Sequence, residues 1–74
     1  MTKMRIRLDT ISDARKLVDT ASKYPGEITI TDGRGLRVNA KSLMGAIYSL
    51  EFSELWLEMD GDHFMAFYEF EVEV

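Results

Sequence analysis

The hydrophobic period changes several times along this chain, and those changes limit the fold more than any other feature. Lys3 to Leu8 alternates, with Met4, Ile6 and Leu8 on one side and Lys3, Arg5 and Arg7 on the other. A period of two marks a half-buried strand. From Ile11 the period lengthens. Ile11, Ala14, Leu17, Val18 and Ala21 recur at helical spacing, while Arg15, Lys16, Asp19 and Lys23 fall on the wet side. Thr10 followed three residues later by Asp13 resembles a capping box, so the spacing predicts a helix over 11–23. Pro25-Gly26 closes it, because proline cannot continue a helix and biases Tyr24 toward extended geometry.

The alternation returns at Glu27 to Asp32, turns at Asp32-Gly33-Arg34-Gly35 and continues over 36–38, which predicts a β-hairpin. Asn39 or Ser42 caps a second, short helix over 43–50. Residues 55–59 read as a fourth strand, apolar enough to lie centrally. After Asp60-Gly61-Asp62 the pattern divides. Phe64, Phe67 and Tyr68 fit a helix over 62–69 capped by Asp62, whereas Tyr68 to Val74 alternates acid and apolar like a strand. The order is β-α-β-β-α-β-α, an α+β class, in one domain over 1–74 with no repeat and no linker.

Seventy-four residues without a cysteine must be held by packing alone, and the absence of thiols suits a reducing cytoplasm. No apolar run approaches a membrane span, and Met1-Thr2-Lys3-Met4-Arg5 has no apolar stretch behind it. A soluble cytoplasmic chain is expected. The charge is divided. Residues 1–50 carry nine Lys/Arg against five acids, and residues 51–74 carry eight acids with no Lys or Arg. That balance disfavours a general nucleic-acid surface.

Catalytic chemistry has little to work with. His63 is the single imidazole, in a turn beside Asp60 and Asp62, and reads as a solvated turn histidine. Gly33-Arg34-Gly35 lacks the Lys-Ser/Thr of a phosphate loop. Asp9 and Asp13 stand at a helix start, where acids suit the dipole. No enzyme activity, metal site or cofactor is expected.

Lys41-Ser42-Leu43-Met44-Gly45 says more. A serine at a helix start caps an amide, and the same place tolerates an added phosphate. Leu43, Ala46, Ile47 and Leu50 make a core stripe, with Met44 and Tyr48 beside it.

The stretch Arg37-Val38-Asn39-Ala40-Lys41-Ser42-Leu43-Met44-Gly45 resembles the regulatory segment of HPr, the histidine-containing phosphocarrier of the bacterial sugar phosphotransferase system, and that of its catabolite-repression paralogue, which lacks the carrier histidine. Val18-Asp19-Thr20-Ala21-Ser22-Lys23 is similar to the end of that family's first helix, with the 27–38 hairpin between the two stretches. The resemblance covers residues 3 to 62. It implies an open-faced sandwich, four antiparallel strands with helices on one face. It also implies a serine-phosphorylation switch at Ser42 and a docking face of Lys41 at the rim with Leu43, Met44 and Ile47. This sits uneasily with the stripe that gives Leu43 and Ile47 to the core. The implied partners are proteins: an HPr kinase, a transcriptional regulator of catabolite genes or transport components. The resemblance stops at the carrier site. The family's histidine falls on Thr10, its arginine on Ser12 and its proline on Asp13. A phosphocarrier needs an imidazole nucleophile, so carrier activity is not expected.

Two alternatives stand beside this expectation. One is a carrier with an atypical acceptor, Thr10 or His63. The other is a small homo-oligomeric binding module unrelated to sugar transport, in which the acidic tail adds a strand to a partner. A monomer or weak homodimer fits the chain. One-sided packing also predicts that Leu55 and Leu57 face the helices and that Trp56 lies on the open face, partly exposed.

Overall fold

The structure is a computed structural model that describes residues 2–72. Met1, Glu73 and Val74 lie outside the described residues, and with them the end of the acid-apolar alternation. The elements are β1 (Thr2–Ile6), α1 (Ile11–Ala21), β2 (Ile28–Thr31), β3 (Arg37–Asn39), α2 (Leu43–Ser49), β4 (Leu55–Met59) and a 3-10 helix (Phe64–Phe70). The strands form one antiparallel sheet in the order β1-β4-β2-β3. This is an α+β open-faced sandwich with three helices, compatible with the fold the HPr resemblance implies. Among the described residues no helix is long and apolar enough to cross a membrane.

Alternation along the strands decides which face is covered. Met4, Ile6, Ile28, Ile30, Leu55, Leu57 and Met59 are buried under the helices with Ala14, Leu17, Ala21 and Ala46. The opposite face carries Lys3, Arg5, Thr29, Arg37, Trp56 and Glu58. Trp56 is half-buried there, as one-sided packing requires. The Lys3 ammonium lies 4.9 Å and the Arg5 guanidinium 5.7 Å from its ring centroid. Arg37 pairs with Glu58 across the sheet. Gly33 suits the turn beside the indole because its φ of +78° is one that glycine adopts without strain.

Local chemistry sets the element ends. Thr10 accepts from the Asp13 amide at 3.1 Å, and the Asp13 carboxylate accepts from the Thr10 amide at 3.2 Å, which closes the expected capping box. The Asp9 amide, at 3.0 Å, is the main force holding the Asp13 carboxyl below the ordinary aspartate range. At the hairpin, the Arg34 amide (2.7 Å) and the Leu36 amide (3.1 Å) bind Asp32 and lower its carboxyl, the Arg34 amide most.

Three details differ from the sequence pattern. Ile11 is 54% exposed while Ala14, Leu17 and Ala21 are buried, because Ile11 shares the phase of the half-buried Val18 at the margin of the stripe. The segment after β4 is a 3-10 helix, not an α-helix over 62–69. Its N-cap is His63, with no side-chain cap bond, so Asp62 does not cap it. Phe64, Phe67 and Phe70 are buried at a spacing of three, which matches three residues per turn. Beyond it the chain meets the edge of β1. The Arg7 amide donates to the Phe70 carbonyl at 2.9 Å, the Val72 amide donates to the Arg5 carbonyl at 3.0 Å, and Ile6 bridges Glu71. The tail is therefore helical first and strand-like after.

Candidate functional site

Ser42 is the N-cap of α2. Its backbone is extended, and its Oγ accepts from the Gly45 amide at 3.2 Å. The three residues before it are fixed by the loop. The Lys41 amide donates to Asn39 Oδ1 at 2.8 Å and the Ser42 amide to the Asn39 carbonyl at 3.0 Å. Gly45 lets α2 approach β3 closely, since an added Cβ would lie 3.2 Å from both the Asn39 carbonyl oxygen and Val38 Cβ. Ser42 is half-buried.

The residues around it divide between core and solvent. Met44 is 84% exposed and Tyr48, one turn on, is exposed beside it. Leu43 lies at the margin of exposure and Ile47 is half-buried against the core. Ala46 and Ser49 carry the buried face, the Ser49 hydroxyl donating to the Ala46 carbonyl at 2.6 Å. Tyr48 meets Phe52 edge-on with centroids 5.7 Å apart. The conflict over Leu43 and Ile47 thus resolves toward solvent for Leu43 and toward the core for Ile47. Lys41 is not a free rim cation. Its ammonium donates to the carbonyls of Tyr24 (2.6 Å) and Gly26 (2.8 Å).

The two helix starts do not meet. Ile6, at the end of β1, pairs with Leu55, the first residue of β4, whereas Asn39, at the end of β3, pairs with Thr29, which pairs with Glu58 near the end of β4. β1 and β3 are also opposite edges of the sheet. Thr10 and Ser42 therefore enter the helix layer from opposite ends and opposite sides. Ser12, at the place of the family's arginine, is exposed and uncharged. Arg7, the nearest cation before α1, is bound to Asp9 at 2.8 Å.

His63 lies at the end of α1, against Tyr24, whose carbonyl also binds Lys41 just before the α2 cap. Its ring stacks on Tyr24 with centroids 4.6 Å apart, and Tyr24 meets Phe67 at 6.4 Å. Its work in this fold is to join the 3-10 helix to the end of α1. Among the described residues no group of three or more His, Cys, Asp and Glu is placed to hold a metal ion. The sequence pattern passed over Met65 and set Tyr68 on the helical face with Phe64 and Phe67, whereas both Met65 and Tyr68 are exposed. The Phe64-Phe67-Phe70 spacing was the available signal, since a 3-10 period that buries those three turns 65 and 68 outward. The chain matches no protein-family model and no curated protein.

Proposed function

We propose that this domain is an HPr-like regulatory protein that works by binding other proteins, without histidine phosphocarrier activity, and that Ser42 is its phosphorylation switch. Ser42 supports this best. It caps α2 two residues before Met44, an apolar side chain left almost wholly in solvent. An apolar side chain so placed is available to a partner. A kinase that moves the γ-phosphoryl of ATP to Ser42 Oγ, releasing ADP, places about two negative charges in the same turn of chain. The gain from the helix amides is on the order of 0.3–1 kcal/mol at an exposed end, too little to refold the domain. The modification acts on what the surface binds.

The test is treatment of the wild type and Ser42→Ala with an HPr kinase and ATP, followed by binding to the catabolite repressor protein. One phosphate on wild type, none on Ser42→Ala, repressor binding only after modification and near-unchanged melting are the expected results. An untouched Ser42 together with a Met44→Ala variant that alters no interaction reduces Ser42 to a helix cap and ends the proposal.

A further inference from the structure

The sequence carries five methionines and no cysteine, so a peroxide that reaches this protein meets thioethers and no thiol. The fold sorts the four methionines among the described residues into two groups. Met44 and Met65 are 84% and 78% exposed, whereas Met4 and Met59 are 8% and 1% exposed. The Met59 sulfur also accepts from the His63 amide at 3.3 Å. An oxidant reaches a sulfur closed into the core only when the surrounding structure opens, and it reaches an exposed one in the folded state.

Neither exposed thioether fills core space. Met44 stands two residues after the Ser42 cap, on a helix whose buried face is carried by Ala46 and Ser49. Met65 stands on the 3-10 helix, which Phe64, Phe67 and Phe70 anchor without it. Each can become polar without opening a cavity or burying an unpaired group.

We propose that Met44 is a peroxide-sensitive modification site, and that its sulfoxide withdraws the apolar face of α2 from partner binding. This rests on the reading of α2 as a docking face. In the step, the Met44 sulfur donates an electron pair to one oxygen of hydrogen peroxide. The O–O bond breaks, an S–O bond forms, and the proton of the transferred oxygen passes to the departing hydroxide, which leaves as water. Sulfur loses two electrons and the peroxide gains them. A thiol-dependent methionine sulfoxide reductase reverses the step, two thiols becoming a disulfide as the oxygen leaves as water. The sulfoxide differs from a phosphate on Ser42, since it removes apolar surface without adding net charge. Met65 is oxidised in parallel, off α2, and leaves that face as it was.

The experiment treats the wild type, Met44→Leu and Met65→Leu with graded hydrogen peroxide. Peptide mass spectrometry follows each methionine, and melting and binding of the kinase-treated protein to the catabolite repressor are measured alongside. Met44 and Met65 are expected to oxidise about tenfold faster than Met59, or more, with melting near-unchanged while only those two are modified. In the wild type and Met65→Leu, binding is expected to fall at the rate of Met44 oxidation. Met44→Leu lacks the thioether, so peroxide is expected to leave its binding, at whatever level it starts, where it was. Met59 oxidised as fast as Met44 overturns the proposal. Untreated Met44→Ala separates the two readings. Binding lost in Met44→Ala but kept after complete Met44 oxidation ends this proposal alone. No binding before treatment, or binding unchanged in Met44→Ala, ends the docking reading and takes this proposal with it.

Discussion

The Lys41 ammonium donates to the Tyr24 carbonyl at 2.6 Å, tying the residue before the α2 cap to the turn that ends α1. Its second bond, to the Gly26 carbonyl at 2.8 Å, spans the same turn. Because the Tyr24 ring also stacks on His63, Lys41 and Tyr24 together link the start of α2, the end of α1 and the 3-10 helix. Lys41→Met keeps most of the apolar stem and removes three donors. It is expected to cost about 1.5 kcal/mol, the low end for lost bonds to a charged donor, because Gly26 is exposed and water replaces part of the interaction. Urea unfolding measures it, and an unchanged midpoint would show that the clamp adds nothing.

Gly45 tests how tightly α2 lies on β3. A helix normally gains about 1 kcal/mol when glycine becomes alanine. Here the new Cβ stands 3.2 Å from Val38 Cβ and from the Asn39 carbonyl oxygen. β3 is an edge strand and can yield by a few tenths of an ångström, so Gly45→Ala is expected to be near neutral. Gly45→Leu has nowhere to go and is expected to destabilise by about 1–3 kcal/mol. A Gly45→Leu variant as stable as wild type would mean that the helix stands off the strand.

Asp13 and Asp32 set an acid limb. Backbone amides hold both carboxyls below their ordinary value, the Asp9 amide acting most on Asp13 and the Arg34 amide most on Asp32. A carboxyl with a lowered pKa in the folded state contributes stability that is complete above the unfolded value of about 4 and fades as pH falls through the folded value. Melting temperature is expected to drop below about pH 4. Asp13→Asn with Asp32→Asn is expected to flatten that drop, since Asn keeps an acceptor and loses the charge. Thermal melts from neutral to acidic pH are the measurement, and an acid limb of unchanged slope in the double variant refutes the assignment.

Thr10 decides the phosphotransfer outcome. Incubation with phosphoenolpyruvate and the general phosphotransferase enzyme is expected to leave the protein unmodified, because Thr10 and Ser12 provide neither imidazole nor cation. Mass spectrometry under mild alkaline conditions preserves phosphohistidine. A stoichiometric phosphate on His63 would contradict both the expectation and the structural work assigned to that ring.

Most of the fold was legible because period and burial agree in the strands. Met4, Ile6, Leu55 and Leu57 are buried where alternation puts them, and Trp56 takes the open face. Helical phase was less informative at the ends. Ile11 shares the phase of the half-buried Val18, at the margin of the stripe, and is exposed although Ala14 in the same turn is buried. The 3-10 helix was obscured by Tyr68-Glu69-Phe70-Glu71, which alternates like a strand while Phe64-Phe67-Phe70 repeats every three. The α2 cap was readable to two candidates, Asn39 and Ser42, and it is Ser42. The fate of Lys41 was not, since its acceptors are backbone carbonyls fifteen and more positions away, on a turn whose position depends on the packed helices.

The bridge between Ile6 and Glu71 fixes when the domain can be completed. β1 is synthesised early, yet its neighbours on both sides, Leu55 in β4 and the Phe70–Val72 segment, are synthesised late. Contacts so distant along the chain slow folding, because the intervening loop must close first. The first strand emerges from the ribosome with both edges bare and waits there. Lys3 and Arg5 on this strand, with Arg7 just after it, are charges of the kind that blunt an unpaired edge against a second copy.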